Sequence, residues 1–347
     1  ILVERMLLDL RRPFLHQGRI VSARASLGIA IYPSDANEPS DLLKNADLAL
    51  YAAKASGRNR AEFFAPSMRT ALESRVAVAQ EIRPAISEGH VMPFYQPKVL
   101  LETGEVRGFE ALARWAHPER GLLTPVAFET AFDEPDIAIE LGESMLKQAA
   151  QDMRRWLDAG LEPGRLAVNL SSCQFAQPDL AERILGIFAR AGVQANRFDV
   201  EVTETVLLGR TAEQVSVTLD KLHRAGVRVA LDDFGTGYAS LTHLKQFPVD
   251  DIKIDRSFVR DLERDAGDAA IIAAVIELGR NLGLNVVGEG VETEGQASFL
   301  RWHGCALGQG YLFAKPMPAS RVPWLLRHGV KGFAEVEENL LQQAQAS

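Results

Sequence analysis

Cysteine is nearly absent: Cys173 and Cys305 are the two in 347 residues. Two thiols exclude a disulfide framework and a cysteine-rich zinc site, and they point to a reduced compartment. No apolar run reaches the ~18 residues that span a bilayer, and no leader-like pattern opens the chain. Basic charge is also scarce. Thirty-eight lysines and arginines stand against 46 acidic residues, a formal charge of −8. That balance excludes the basic footprint of a general nucleic-acid binder, so no nucleic-acid polymer is expected as partner. No glycine-rich phosphate loop follows the first long strand, which places an open doubly wound sheet second among the folds considered.

What remains is ordinary globular composition, 47% hydrophobic and 24% charged, in a length that holds about two domains. The chain starts at Ile1 rather than Met. A fragment of a longer, cytoplasmic protein is expected, with upstream regions that leave room for a membrane tether. The acid excess is local. Residues 1–88 carry 12 basic and 10 acidic side chains, and residues 89–347 carry 26 and 36.

The opening segment, 1–64, reads helix (Val3–Leu10), strand and strand (within the β-rich stretch Ile20–Pro33) and helix (Ser40–Lys54, capped by Ser40, with Gly57 at its exit). Pro66–Ser87 reads as a connecting helix with a kink at Pro84. From residue 91 the pattern becomes regular. Strands are predicted over 92–100, 105–115, 165–171, 198–204, 228–234, 250–255, 284–291 and 307–313, most gaps holding one amphipathic helix. The connection LETGE between the first two is too short for a crossover, so those strands are expected to be antiparallel. Eight strands at this rhythm predict an α/β fold, a (β/α)8 TIM-like barrel with an antiparallel first strand.

Active sites of such barrels collect at the carboxyl ends of the strands. Those ends carry Glu110 and Arg114, then Asn169, Glu201 and Glu204, the pair Asp232–Asp233, Lys253 and Asp255, Glu289 and Glu292, and Gln309. One acidic residue at a strand end is ordinarily a loop charge or a helix cap. Eight along successive strands are not explained that way. Apolar strands ending in adjacent carboxylates need a compensating charge. Oxygen donors without histidine suit Mg²⁺ or Mn²⁺ better than Zn²⁺. A surplus beyond one octahedron suggests two ions, the arrangement that serves in-line displacement at phosphorus. Lys253 suits stabilisation of phosphoryl charge, and Arg114 suits a phosphate grip. Glu204 lies three residues past Glu201 and points to the other side, where it pins a neighbouring loop. The glycines of DDFGTG, Gly235 and Gly237, read as a mobile loop.

The motifs FEALARW, LAVNLSS, EVTET, DDFGTGYASL, IKIDRSFV, VVGEGVET and GQGYLFAKPM, in that order, resemble the EAL-domain family. The resemblance implies a phosphodiesterase that linearises cyclic di-GMP to 5′-pGpG with two Mg²⁺ or Mn²⁺ ions. It implies metal ligands at Glu110, Asn169, Glu201, Asp232 and Asp233. Catalytic support falls on Lys253, Glu289 and Glu204, and substrate binding on Arg114, Asp255, Glu292 and Gln309. A homodimer is implied, with contacts near the fifth and sixth strands. SLGIAIYP and LLKNADLALYAAKASGRN resemble the end of a GGDEF diguanylate cyclase domain whose signature loop precedes Ile1, so cyclase activity is not expected of these residues. The implied organisation is a GGDEF fragment over 1–64, a connecting helix over 65–88, the EAL barrel over 89–329 and a tail over 330–347. Upstream sensor or cyclase regions of the full-length protein are its expected further partners. Gly288 for the usual alanine, Ala306 for a frequent aspartate and the segment 127–146 depart from the family pattern without removing a ligand. A catalytically inactive cyclic di-GMP receptor is the alternative function. A metal-dependent barrel enzyme abstracting a proton beside a carboxylate is a third, and it leaves the paired aspartates unexplained.

Overall fold

The computed structural model describes residues 2–17, 19–208, 212–235 and 246–330. It forms two compact units that divide between Glu81 and Ile82. The division falls within the helix Pro66–Ser87, which runs through Pro84.

In the first unit, helix Leu2–Arg11 precedes an antiparallel pair, Phe14–His16 with Arg19–Val21. Leu27–Ile29 pairs in parallel with Ala61–Phe63, and helix Pro39–Ala55 lies between them in sequence. The two strands expected within 20–33 are present, Arg19–Val21 and Leu27–Ile29, and they belong to different sheets. Alternation is a local signal, whereas the partner of Leu27–Ile29 arrives from beyond a helix. A Cβ on Gly28 would collide with the backbone of Ala46 and Leu50, so the glycine lets helix and strand touch. That helix opens on Pro39, whose fixed φ suits the first turn, and not on a Ser40 cap.

The second unit is a closed barrel. Its strands are β1 (Val91–Leu100), β2 (Val106–His117), β3 (Arg165–Asn169), β4 (Phe198–Thr203), β5 (Arg228–Phe234), β6 (Asp251–Ile254), β7 (Asn285–Gly288) and β8 (Leu307–Gly308). Neighbours pair in sequence order, and β8 closes on β1. β1 is antiparallel to both β2 and β8, and every pairing from β2 through β3 to β8 is parallel. Among the described residues its helices include α1 (Pro135–Asp158), α2 (Leu180–Arg190), α3 (Glu204–Leu207), α4 (Ala212–Arg224), α5 (Arg256–Asp261), α6 (Ala266–Leu282) and α7 (Glu294–Trp302). Among the described residues no helix is long and apolar enough to cross a membrane.

Period-two alternation sorts the barrel residues. Along β4, Phe198, Val200 and Val202 belong to the hydrophobic core shared with the helices, while the carboxylates of Asp199 and Glu201 meet cations from other strands. In α1 the residues Leu146, Ala149, Ala150, Met153 and Trp156 recur at helical spacing and are buried, and the Trp156 ring meets Tyr95 of β1 edge-on at 4.8 Å. Phe188 of α2 stacks on Phe198 of β4 at 3.8 Å.

Five strands stop earlier than the alternation suggests, β3 at Asn169 and β6 at Ile254 among them. β4 ends at Thr203 and Glu204 opens α3; β7 ends at Gly288; β8 is two residues long. The backbone there leaves the ladder to build the mouth, as Gln309 N donates to Gly288 O at 2.9 Å and Val291 N to Gln309 O at 3.0 Å.

Two glycines before β3 separate backbone strain from collision. Gly160 and Gly164 both have positive φ, 69° and 74°. A Cβ on Gly160 meets nothing within 4 Å, whereas on Gly164 it would overlap the carbonyl of Arg107. Gly160→Ala is expected to cost about 1 kcal/mol from the left-handed backbone alone. Gly164→Ala should cost about 3 kcal/mol or more, read by denaturant unfolding of both variants. Equal losses would contradict the assigned contact.

Candidate functional site

At the carboxyl ends of the strands lies a groove of about 710 Å³, lined by residues of β1, β2, β5 and β6 and of the loops after β7 and β8. Its centre is an ammonium. Lys253 Nζ of β6 stands 2.6 Å from Glu201, 2.7 Å from Glu289, 3.1 Å from Asp232 and 3.5 Å from Glu110. The side chain is 1% exposed. Burial alone would push its pKa down, but the surrounding carboxylates, Glu110 and Glu201 foremost, raise it well above the ordinary lysine value.

Each carboxylate is steered by a neighbour. Glu110 Oε1 accepts from Asn169 Nδ2 at 2.9 Å, and Oε2 from Gln309 Nε2 at 2.6 Å. Burial opposes its charge, but Lys253 and these two amides hold its pKa down at about 2. Glu201 goes the other way. Burial and the negative charge of Glu110 raise its pKa well above the ordinary value, against the pull of Lys253 and Lys98. Its Oε1 is buried without a hydrogen-bond partner. Burial, opposed by Lys253 and reinforced by Asp232 and Glu110, raises Glu289 to about 8. Burial and then Asp232 and Asp255 raise Asp233 to about 6.

Consecutive residues of a strand face opposite sides, so Asp232 and Asp233 need a device to share one mouth. The register of β5 against β6 shifts between Leu231 and Phe234, and Asp233 adopts φ 54°. This bulge turns both carboxylates into the groove lining. Just beyond it, Gly235 N donates to Glu204 Oε1 at 3.0 Å, so Glu204 holds the end of β5 from the start of α3. Gly237 lies outside the described residues.

The remaining expected residues are placed as follows. Arg114 is buried and lines the groove; one N–H donates to its own neighbour's carbonyl, Ala113 O, and the guanidinium lies over Phe94 at 5.9 Å. Asp255 lines the groove but caps α5, accepting from Ser257 N at 2.9 Å. Glu292 is exposed at the rim. The amide nitrogen of Gln309 is spent on Gln96 Oε1 and Glu110, and its buried Oε1 has no partner.

A set of polar groups beneath the site has no counterpart among the residues expected from sequence. Gln96 supports Gln309, and Lys98 reaches Asp199 at 3.4 Å and Glu201 at 3.7 Å from the antiparallel β1. Asp199 is also gripped by Arg165, and on the other side Asp251 accepts from Arg228 and Asn285, both at 2.7 Å. The signal was present: Gln96 and Lys98 stand two apart in an otherwise apolar strand.

The donor chemistry fits hard divalent cations, because oxygen donors outnumber the central ammonium and one carboxylate oxygen lacks a partner. Among the described residues no three acidic, histidine or cysteine side chains already form a metal-ligand set. Lys253 occupies the centre around which they gather.

The EAL domain family model matches residues 79–316. The chain belongs to the EAL domain family. Residues 1–60 match the diguanylate cyclase, GGDEF domain model. The chain is 40% identical over 321 residues to the bifunctional diguanylate cyclase/cyclic di-GMP phosphodiesterase MucR of Pseudomonas aeruginosa, covering 92% of this chain and 47% of MucR. It is 35% identical to the cyclic di-GMP phosphodiesterase PdeR of Escherichia coli, covering 92% of this chain and 48% of PdeR. It thus spans about half the length of these curated relatives. A solved MucR phosphodiesterase in complex with c-di-GMP superposes with a TM-score of 0.68 at 41% identity, covering 71% of this chain and 99% of that one. A manganese/cyclic-di-GMP complex of Klebsiella pneumoniae BlrP1 superposes at 0.58 and 32% identity, covering 66% and 56%. The EAL barrel and the GGDEF fragment expected from the motifs are both present.

The raised carboxylates predict how this EAL domain takes up a cation. In EDTA-treated protein Asp233, at about 6, is protonated only on the acid side of neutrality, whereas Glu289, at about 8, still holds a proton there. A divalent ion competes with those protons, so Mg²⁺ affinity should rise as pH increases from about 6 and level off only above about 9, beyond both values. Calorimetry in buffers of differing ionisation enthalpy reads the released protons. Proton-neutral binding across that window would contradict the assignment.

Proposed function

We propose that this EAL domain hydrolyses one phosphodiester of cyclic di-GMP to linear 5′-pGpG with two Mg²⁺ or Mn²⁺ ions held by Glu110, Asn169, Glu201, Asp232 and Asp233. The observation that carries the reading is the carboxylate cluster around Lys253, with no expected ligand substituted. MucR and PdeR, named as phosphodiesterases of that molecule, support the substrate.

Bound there, divalent ions supply positive charge against phosphoryl oxygens and lower the pKa of water. The chain's own groups do the rest. Lys253 stays charged and stabilises negative charge on the phosphoryl group as it builds. Glu289, paired with Lys253, orients the attacking water and holds a proton at neutral pH. Arg114 grips a phosphate oxygen through its planar fork. Beside the groove, sharing Leu112 and Pro125 with it, a mostly apolar cavity of about 370 Å³ takes a purine base. Gln174 and Thr203 offer polar edges there. The homodimer belongs to the same proposal, with Glu204 coupling the end of β5 to the barrel.

The deciding experiment incubates the protein with cyclic di-GMP and Mg²⁺ and identifies the product. Linear pGpG is expected, abolished by EDTA; binding without cleavage would favour the receptor. Asp232→Ala and Lys253→Ala should each lower kcat by about 10²–10³-fold. Near-wild-type turnover by Lys253→Ala would remove the lysine from the mechanism. Glu204→Ala should lower kcat and Mg²⁺ affinity together while the thermal midpoint holds. Full activity, or a wild type that stays monomeric in sizing at high concentration, would end the coupling idea.

A further inference from the structure

Three cations line the groove: Arg114, Lys253 and Arg256. Lys253 is enclosed by four carboxylates, and Arg114 is buried against Phe94 with one N–H already spent. Arg256 is different. It opens α5 and is exposed. Among the described residues no carboxylate lies within salt-bridge distance of its guanidinium. The acid beside it, Asp255, is turned to Ser257, whose N–H and hydroxyl both donate to Asp255 Oδ1. Its stem is fixed by the loop after β7. Gly290 has φ 65°, and a Cβ there would stand 2.6 Å from Arg256 Cβ. The backbone thus packs against the base of the arginine and leaves its head to the groove.

The substrate proposed above carries two phosphodiester anions in one ring, and hydrolysis engages one of them. The other must sit in a groove lined by Glu110, Asp232, Asp233, Asp255, Glu289 and Glu292. Divalent ions held by the ligands would offset the acids around the cleaved diester, but Asp255 and Glu292 elsewhere in the groove repel a second anion unless another cation meets it. We propose that Arg256 grips the phosphodiester that is not cleaved and so makes the site prefer a substrate with two. This inference rests on the cyclic di-GMP reading. An exposed guanidinium suits a group that must meet substrate from solvent, and its fork matches two phosphate oxygens.

The test compares wild type with Arg256→Gln and Arg256→Lys on cyclic di-GMP and on bis(p-nitrophenyl) phosphate, which has one phosphodiester. Arg256→Gln should raise KM for cyclic di-GMP about tenfold and leave kcat within about twofold, the size of one lost charge-assisted contact. KM for the single diester should not change. Arg256→Lys should recover part of the loss, because the charge remains and the fork does not. An unchanged KM for cyclic di-GMP, or an equal rise for both substrates, would overturn the proposal. If wild type binds cyclic di-GMP without cleaving it, the Kd from calorimetry replaces KM and the same tenfold shift is required. A wild type that neither binds nor cleaves it would sink this inference together with the reading beneath it.

Discussion

The ammonium of Lys253, buried and within 3.5 Å of Glu201, Glu289, Asp232 and Glu110, is the charge on which the barrel's mouth depends. Carboxylates from four different strands or strand ends converge there, and like charges at such separations repel strongly in a low dielectric. A single cation at their centre lets the strands close around them. Removing one partner of such a buried arrangement is strongly destabilising, by about 3–5 kcal/mol for a buried pair. The same excess of acid that needs the lysine is what fits the site to divalent cations.

Beneath that centre lies a second charged layer. Lys98 joins Asp199 to Glu201, Arg165 clasps Asp199, and Arg228 and Asn285 hold Asp251. Branched apolar side chains fill the lumen of most barrels of this type. Here polar pairs take that place along β4 and β6. Burial works against the charge of Asp199, yet Lys98 and Arg165 outweigh it and lower its pKa. Asp199 is therefore held charged and paired, whereas burial raises Asp251, and Lys98 gives Glu201 a neighbour other than Lys253.

Backbone irregularity is concentrated where the chemistry is. Asp233 sits at positive φ in a bulge, and β7 and β8 stop before the residues they deliver. A non-glycine residue in the left-handed region is held there by its surroundings. The hydrogen bond from Gly235 N to Glu204 is one such hold, reaching the end of β5 from a different strand connection. Regular strands position the outer core, and their broken ends aim the carboxylates.

The barrel, its antiparallel first strand and the gathering of acidic residues at the strand ends were legible in the sequence. Alternation, helix spacing and the short LETGE turn are local, and the motif order marks the family. Helix Pro66–Ser87 and the ends of β5 also followed from local pattern. Tertiary structure alone decided the rest. It assigned the two strands of residues 20–33 to different sheets, because a parallel partner comes from distant sequence. It turned Asp233 to the side of Asp232 through a bulge, which alternation cannot foresee. It gave Gln309 to Glu110 and Gln96, and it set Lys98 under Glu201 from an antiparallel strand more than a hundred residues away. The sequence determines which charges are present; which of them share one dielectric environment is fixed only when the barrel closes.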